Sequence, residues 1–313
     1  MLCGATREHF TRAFPESATQ IAAQDSQPRL RVREVFMPIR GLSLVGFMEF
    51  PQAEQYLQRA CIPPDASPRA LAAEWNTARA RLGDPIEKGG HPEMTAIPAG
   101  HSGYLDRVRA KWLGPNAQGF EFRLVEIDRL LAYQHHVSIP RADEHCAQRK
   151  GAPSTDELLN VCLPVDAQLR EPFASIQGQS IILRSEDLNV RLLQQGTIPG
   201  IGGAIGIVVG PALPLVQVVR CNGKCFLNNG FHRAYGMRQR GATHVPCIYR
   251  DAAGNYDLLG LRENGATFGR AVMESSNPPT VGHFTQGRAY EVSLRKISRV
   301  IQINWSDHLL TDE

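Results

Sequence analysis

The sequence is short of the features that announce a function class outright. Its seven cysteines, at positions 3, 61, 146, 162, 221, 225 and 247, form no Cys-x-x-Cys pair. The odd count, and a start (MLCGATREHF) without the basic segment and apolar stretch of a secretory leader, imply reduced thiols, no structural disulfide and a cytoplasmic setting. Net charge is also scarce: 34 basic against 31 acidic residues leave +3, too little to announce nucleic acid by itself. There is no internal repeat and no low-complexity tract. Charge is absent altogether from Leu192 to Val219, a run of 28 residues that passes the length test for a membrane span. Six glycines and the prolines 199, 211 and 214 interrupt it, so the expectation is a glycine-rich loop leading into a buried strand, with no membrane partner.

What is present is the composition of a folded protein: 313 residues, 42% hydrophobic and 21% charged, enough for one large or two ordinary domains. Residues 1 to 28 are polar and aperiodic and read as a loosely held arm. RLRVREVFM after Pro28 and LSLVGFMEF after Gly41 read as strands. Ser67 then caps a helix with Pro68 at its first position, Leu71, Trp75, Ala78 and Leu82 on one face and Gly83 at its stop. Residues 83–100 read as a loop, Tyr104–Trp112 as a short basic helix, and Gly114-Pro115 as a domain boundary before a strand at Phe122. Ser154 and Glu157 form a capping box ahead of a helix that Pro164 keeps short. Ser180–Leu193 fits a helix or two short strands equally. A Gly254-Asn255 turn, a strand from Tyr256 to Leu261 and a closing pair of strands from Tyr290 to Trp305 complete the chain. The domains expected are 1–118, an N-terminal α+β extension; 119–252, the central unit; and 253–313, a β-rich extension packed on it.

The most informative stretch is NNGFHRAYGMRQRGATHVPCI, from Asn228 to Ile248. The apolar run Leu215–Val219 leads into an Asn222-Gly223 hairpin. The return arm through Phe226 and Leu227 delivers the chain to Gly230, where a helix begins. His232 and Arg233 then fall in the first turn, among unpaired backbone N–H groups and at the positive end of the helix dipole, which is the seat of a phosphate. Arg233 offers a bidentate fork and His232 a donor or proton-transfer group. Asn228 and Asn229 either orient the ligand or favour the turn's left-handed backbone.

The pattern of strand, N-G-x-H-R, helix, Gly241, Val245-Pro246 and strand resembles the nucleotide-handling signature of the ParB/sulfiredoxin superfamily. A second segment, FRLVEIDRLLAYQHHVS from Phe122, is similar to its opening strand and turn, with Ile127, Leu130 and Leu131 as framework and Gln134 at the polar position. Together the boxes cover about a third of the chain. The resemblance implies an α+β fold with a small mixed sheet and packed helices. It also implies a nucleotide bound by Gln134, Asn228, Asn229, Gly230, Phe231, His232 and Arg233. Two departures narrow the chemistry. Phe231 fills the slot of the reactive sulfiredoxin cysteine, and the Glu of the partition proteins' Gly-Glu-Arg-Arg is missing, so neither activity is expected.

The first expectation is therefore binding of ATP or another nucleoside triphosphate with Mg²⁺, followed by hydrolysis or phosphoryl transfer. His232 and Arg233 would act in catalysis, with a carboxylate from Asp128, Asp143, Glu144, Glu186 or Asp187, of which Asp128 and Glu186 are the leading candidates. A non-catalytic nucleic-acid or regulatory module and a ParB-like nuclease are the alternatives. The expected partners are a nucleotide, a nucleic acid and a second copy of the chain. Other constellations compete less well. His135-His136 with His145-Cys146 suggests zinc, but adjacent strand histidines point apart. Cys221 and Cys225 flank the hairpin as packing residues. Gly100-His101-Ser102-Gly103-Tyr104 resembles a nucleophile elbow without its final glycine or a preceding strand. Gly200-x-Gly202-Gly203-x-x-Gly206 precedes a strand rather than a helix, so a dinucleotide site fails. Basic groups recur at Arg107, Arg109 and Lys111 and at Arg233, Arg238 and Arg240, fitting a polyphosphate or a nucleic-acid backbone.

Overall fold

In the computed structural model the described residues are 38–60, 66–114, 119–146, 151–169, 172–185, 190–197, 204–252, 267–295 and 299–306. The expected arm, the RLRVREVFM strand, the Gly254-Asn255 turn, the Tyr256–Leu261 strand, Glu186, Asp187 and Gly200–Gly203 all lie outside them.

Five strands carry the central sheet: β2 (Met94–Ala96), β3 (Phe120–Glu126), β9 (Gln217–Cys221), β10 (Lys224–Asn229) and β11 (His244–Asp251). The first, β1 (Ile39–Ser43), belongs to a separate three-stranded sheet, where it pairs antiparallel with β4 (His136–Ser138) and β12 (Tyr290–Leu294). The order in the central sheet is β10-β9-β11-β3-β2, with only β9 and β11 parallel. That pair is joined through β10 and the helix that follows it, as a parallel connection requires. The chain is thus an α+β protein built on a small mixed sheet.

Alternation along β3 and β11 explains why the sheet is covered on both faces. Val125, Val245 and Cys247 face the larger core, with Val218, Leu227, Phe231, Met237 and Phe284. Phe122, Leu124 and Ile248 face a smaller one with Val108, Leu159, Leu163 and Leu215. Helices α1 (Phe50–Ala60) and α2 (Pro68–Arg81) supply Leu57, Leu71 and Ala78 to the larger core. The Ser67 cap forms as expected, its Oγ accepting from Ala70 N at 3.3 Å with Pro68 at the first turn. Helices α3 (Ser102–Val108), with a π-turn over Arg109–Leu113, and α5 (Thr155–Cys162) cover the smaller core. The Ser154/Glu157 capping box is present in both directions. Helix α4 (Ile139–Cys146) follows β4, α6 (Phe231–Gln239) follows β10, and α7 (Arg270–Glu274) and α8 (Val281–Thr285) precede β12.

Several local expectations change. LSLVGFMEF is not a strand: pairing stops at Ser43, whose Oγ accepts from Val45 N at 3.2 Å and donates to His135 O at 3.3 Å, turning the chain into a 3₁₀ turn and then α1. The 83–100 loop contains β2, whose register against Leu124 is a tertiary pairing invisible to local pattern. Ser180–Leu193 resolves into strands: β6 (Ser180–Ser185), between β5 (Phe173–Gln177) and β13 (Arg299–Asn304), and the start of β7 (Val190–Thr197). Within the uncharged run, β7 pairs antiparallel with β8 (Ile205–Pro211) where a glycine-rich loop is expected, residues 198–203 lie outside the described residues, and the expected buried strand is β9. The closing strands β12 and β13 do not pair with each other but join different sheets. Neither core cluster draws a residue from β5, β6, β8 or β13, and Phe173, Ile176, Ile205 and Val300 stand exposed. No helix among the described residues is long and apolar enough to cross a membrane.

Candidate functional site

The hairpin turn holds Asn222 at φ 47° and Gly223 at φ 75°, the left-handed pair that an Asn-Gly turn adopts. Gly230 then caps α6 at φ 95°. A Cβ there would lie 2.7 Å from Val216 Cγ2 and 3.1 Å from Val216 Cα, so only glycine fits, for reasons of backbone and packing alone. The expected turn is present; most of its polar side chains are occupied within it. Asn229 Oδ1 accepts from Gly230 N at 2.9 Å, and its Nδ2 donates to Leu213 O (2.8 Å) and Leu215 O (3.1 Å). Tyr133 Oη donates to Asn228 O at 2.6 Å, with Asn228 Oδ1 2.9 Å away, and Asn228 Nδ2 donates to Gln217 Oε1 at 3.4 Å. Phe231 is buried, edge-on to Tyr133 at 5.6 Å between ring centres. Gln134 Nε2 donates to His136 O at 2.6 Å. Arg233 Nη1 donates to Pro214 O and, at 3.5 Å, to Cys162 O. Asn228, Asn229, Gly230, Phe231 and Gln134 thus build the frame.

Imidazoles and guanidiniums gather on the seam where α4 packs on α6. Arg141 and His145, four apart on α4, share one face, and β4 adds His136. His232 Nε2 and His136 Nδ1 are enclosed and have no hydrogen-bond partner. Burial, then Arg141, His136, His145 and Arg233, pushes the His232 imidazole down to about 3. Burial followed by Arg141 holds His136 at about 4. His145, on the outer side of α4, is lowered by desolvation, then by Arg233 and Arg141, with Glu144 opposing. These rings are neutral at neutral pH, in a field that disfavours a further positive charge and favours an anion. Above them, the first N–H groups of α6 have no carbonyl one turn earlier to reach.

The two leading carboxylates do not join this site. Asp128 sits at the far end of α6, forked by Arg238 (Nε to Oδ1 3.1 Å, Nη2 to Oδ2 3.1 Å) and accepting from Thr285 Oγ1 at 2.8 Å, and Glu186 lies outside the described residues. Asp143 and Glu144, exposed on α4, are the acids on the elements of the seam. Of the expected basic set, Arg238 is taken by Asp128 and Arg240 meets Glu157 at 3.5 Å. His135 turns away from His136 to stack on Phe268 at 4.5 Å, and among the described residues no group of three or more His, Cys, Asp or Glu could hold a metal ion. Cys225 is pushed up to about 11 by burial and Cys247 is raised for the same reason, so both thiols are inert. Ser102 opens α3 after a 3₁₀ turn (Ala99–His101) that separates it from β2, so it does not stand on a sharp strand-to-helix turn and the nucleophile elbow is not formed.

Arg141 is the residue that the sequence reading missed, and His136 and His145 were considered only for zinc. Their signal was the i, i+4 pair directly after a strand, but its meaning depends on α4 meeting α6. Two surface depressions lie elsewhere. One, of about 380 Å³, borders Pro153, Thr155, Gly241 and His244 at the far end of α6; the other, of about 290 Å³, borders Arg40, Ile139 and Glu291. No family model, curated protein or solved structure matches the chain.

Proposed function

We propose that the α4–α6 seam binds the phosphate groups of a nucleotide, a nucleoside triphosphate first among them, and that β3, β4 and the β9–β10–α6–β11 unit form a ParB/sulfiredoxin-like core around it. The observation that carries this reading is the enclosed, unpartnered His232 Nε2 among Arg141, His136, His145 and Arg233. An enclosed ring nitrogen without a hydrogen-bond partner is costly unless a ligand completes it, and beside two guanidiniums a phosphate does so with charge-assisted hydrogen bonds from guanidinium and helix N–H groups. An anion seated there raises the affinity of His232 for a proton, giving a general acid beside the phosphoryl group. Asp143 and Glu144 supply the carboxylates for Mg²⁺ or for proton removal, so hydrolysis or phosphoryl transfer is the chemistry assigned to the seam.

Thermal unfolding with ATP, GTP or inorganic phosphate, with and without Mg²⁺, tests the binding step. A ligand at a hundredfold its Kd adds roughly 2.7 kcal/mol, or about 4 °C in Tm for a chain of this size. Arg141→Ala and His232→Asn should abolish the shift, while Asp128→Asn keeps it. No shift at millimolar ligand rejects the reading. Phosphate release that survives the binding test and is lost in Asp143→Asn or Glu144→Gln separates a catalyst from a binding module.

A further inference from the structure

A second basic surface lies apart from the seam, on the sheet face covered by α3. Phe120 and Phe122 are two residues apart on β3 and project to the same side, where Arg250 of β11 stands opposite Phe120 in register. Arg250 lies over the Phe120 ring at 5.4 Å and Arg109, from the π-turn, over the Phe122 ring at 5.1 Å. Further along, Lys111 covers Trp112 at 5.7 Å and Arg107 covers Tyr104 at 5.4 Å. Trp112 and Tyr104 are fixed from behind, donating to Pro164 O (2.7 Å) and Leu163 O (3.1 Å). All four rings are half-buried, and Arg107, Arg109 and Lys111 are exposed. None of the four cations has a carboxylate partner among the described residues. The Arg123–Glu121 pair projects to the opposite face of β3, and Asp166 acts on Tyr104 at the far end of the row.

We infer that this face binds single-stranded nucleic acid. Each guanidinium, placed over a ring, offers a plane to a base and its charge to the adjoining phosphate. The Phe120 and Phe122 platforms are separated by two strand residues, roughly 6.6 Å, about twice the ~3.4 Å rise of stacked bases. Neighbouring bases reach both platforms only when unstacked, which a single strand permits and a duplex resists. Four cations without a carboxylate partner among the described residues, against the single exposed Asp106 on α3, supply the electrostatic attraction that a sequence-tolerant binder needs.

Fluorescence anisotropy of the full chain with a labelled oligothymidylate at low salt tests the inference. The wild type should bind the single strand at least tenfold more tightly than a duplex of the same length. Arg109→Ala with Arg250→Ala should weaken binding tenfold or more and reduce the slope of log K against log salt by about 0.7 for each charge removed. The double Arg→Lys variant should restore the slope but not the affinity, because ammonium groups do not stack. Unchanged Tm values show that these exposed substitutions leave the fold intact. Absence of binding, equal or tighter duplex binding, undiminished affinity in the double Ala variant, or full competition by inorganic polyphosphate each overturns the inference. Loss in Arg141→Ala instead moves the polymer to the α4–α6 seam and overturns it too. Retention of the nucleotide-dependent Tm shift in Arg109→Ala keeps this test separate from the proposal for the seam.

Discussion

At the C-terminal end of α6 arginine meets acid: Arg238 forks onto Asp128, which Thr285 also serves, and Arg240 reaches Glu157. At the N-terminal end His232 and Arg233 of the same helix meet Arg141, His136 and His145, and Glu144 acts on His145 in the opposite sense. The first arrangement closes on itself and joins α6 to α5, α8 and the turn after β3. The second keeps His232 Nε2 and His136 Nδ1 enclosed without a hydrogen-bond partner. A paired cluster of this kind is structure; the unpartnered ring nitrogens at the other end of the same nine-residue helix are what the proposed phosphate site rests on.

Acid should break the comparison most severely. His135 and His232 are held down to about 3, and His136 and His283 to about 4, in each case by burial first. Each is neutral when folded and takes a proton near its ordinary value of about 6.5 when unfolded. Their contribution is therefore fully present above about 6.5 and lost as pH falls from there towards 4 and 3. One such histidine is worth on the order of 3 kcal/mol, so urea midpoints should collapse across this window. His232→Asn should move the collapse to lower pH, and Arg238→Lys should leave its position unchanged.

Glycine substitution separates the two ends next. Gly230→Ala adds strain at φ 95° and a contact of 2.7 Å with Val216, and should cost about 3 kcal/mol in urea unfolding. Gly241, past the other end of α6, has φ 94° but nothing closer than Ala152 Cβ at 3.9 Å. Gly241→Ala should therefore cost only about 1 kcal/mol. Equal losses would show that packing against Val216 is not what restricts the N-terminal end.

Asp128→Ala should cost about 2 kcal/mol, because it orphans a part-buried guanidinium and removes one of the two acceptors of the Thr285 hydroxyl, and should leave nucleotide-dependent stabilisation intact. Arg141→Ala should be the mildest for stability, within about 0.5 kcal/mol of wild type. It should raise the His232 pKa above its value of about 3, since Arg141 is the largest charge depressing it, as an imidazole NMR titration would record. A stability loss in Arg141→Ala as large as that of Asp128→Ala would erase the distinction between the ends.

Much of this was legible along the chain wherever a local rule sufficed. Asn222-Gly223, Gly230 and the Ser67 and Ser154 caps each impose their geometry on the next few residues, so β9, β10, α2, α5 and α6 follow from nearest neighbours. The partners of the polar side chains were not legible. Asn229 satisfies Leu213 and Leu215, and Arg233 turns to the carbonyls of Pro214 and Cys162, because the chain before β9 returns under the turn. Arg141 gains its role from α4 lying on α6, and Asp128 loses its expected one to Arg238, 110 residues away. β2 and the β7–β8 hairpin form through pairing rather than propensity, and no local period announces them.

The sheet of β5, β6 and β13 has a consequence for the order in which the molecule assembles. Its outer pair joins Ser180 to Asn304, 124 positions apart in sequence, yet it adds nothing to either core cluster. A ladder that must close so long a loop and gains so little buried surface in return forms late and opens early. Its amides should exchange with solvent through a local opening far below the global unfolding free energy, while those of β3 and β11 exchange only when the whole body unfolds.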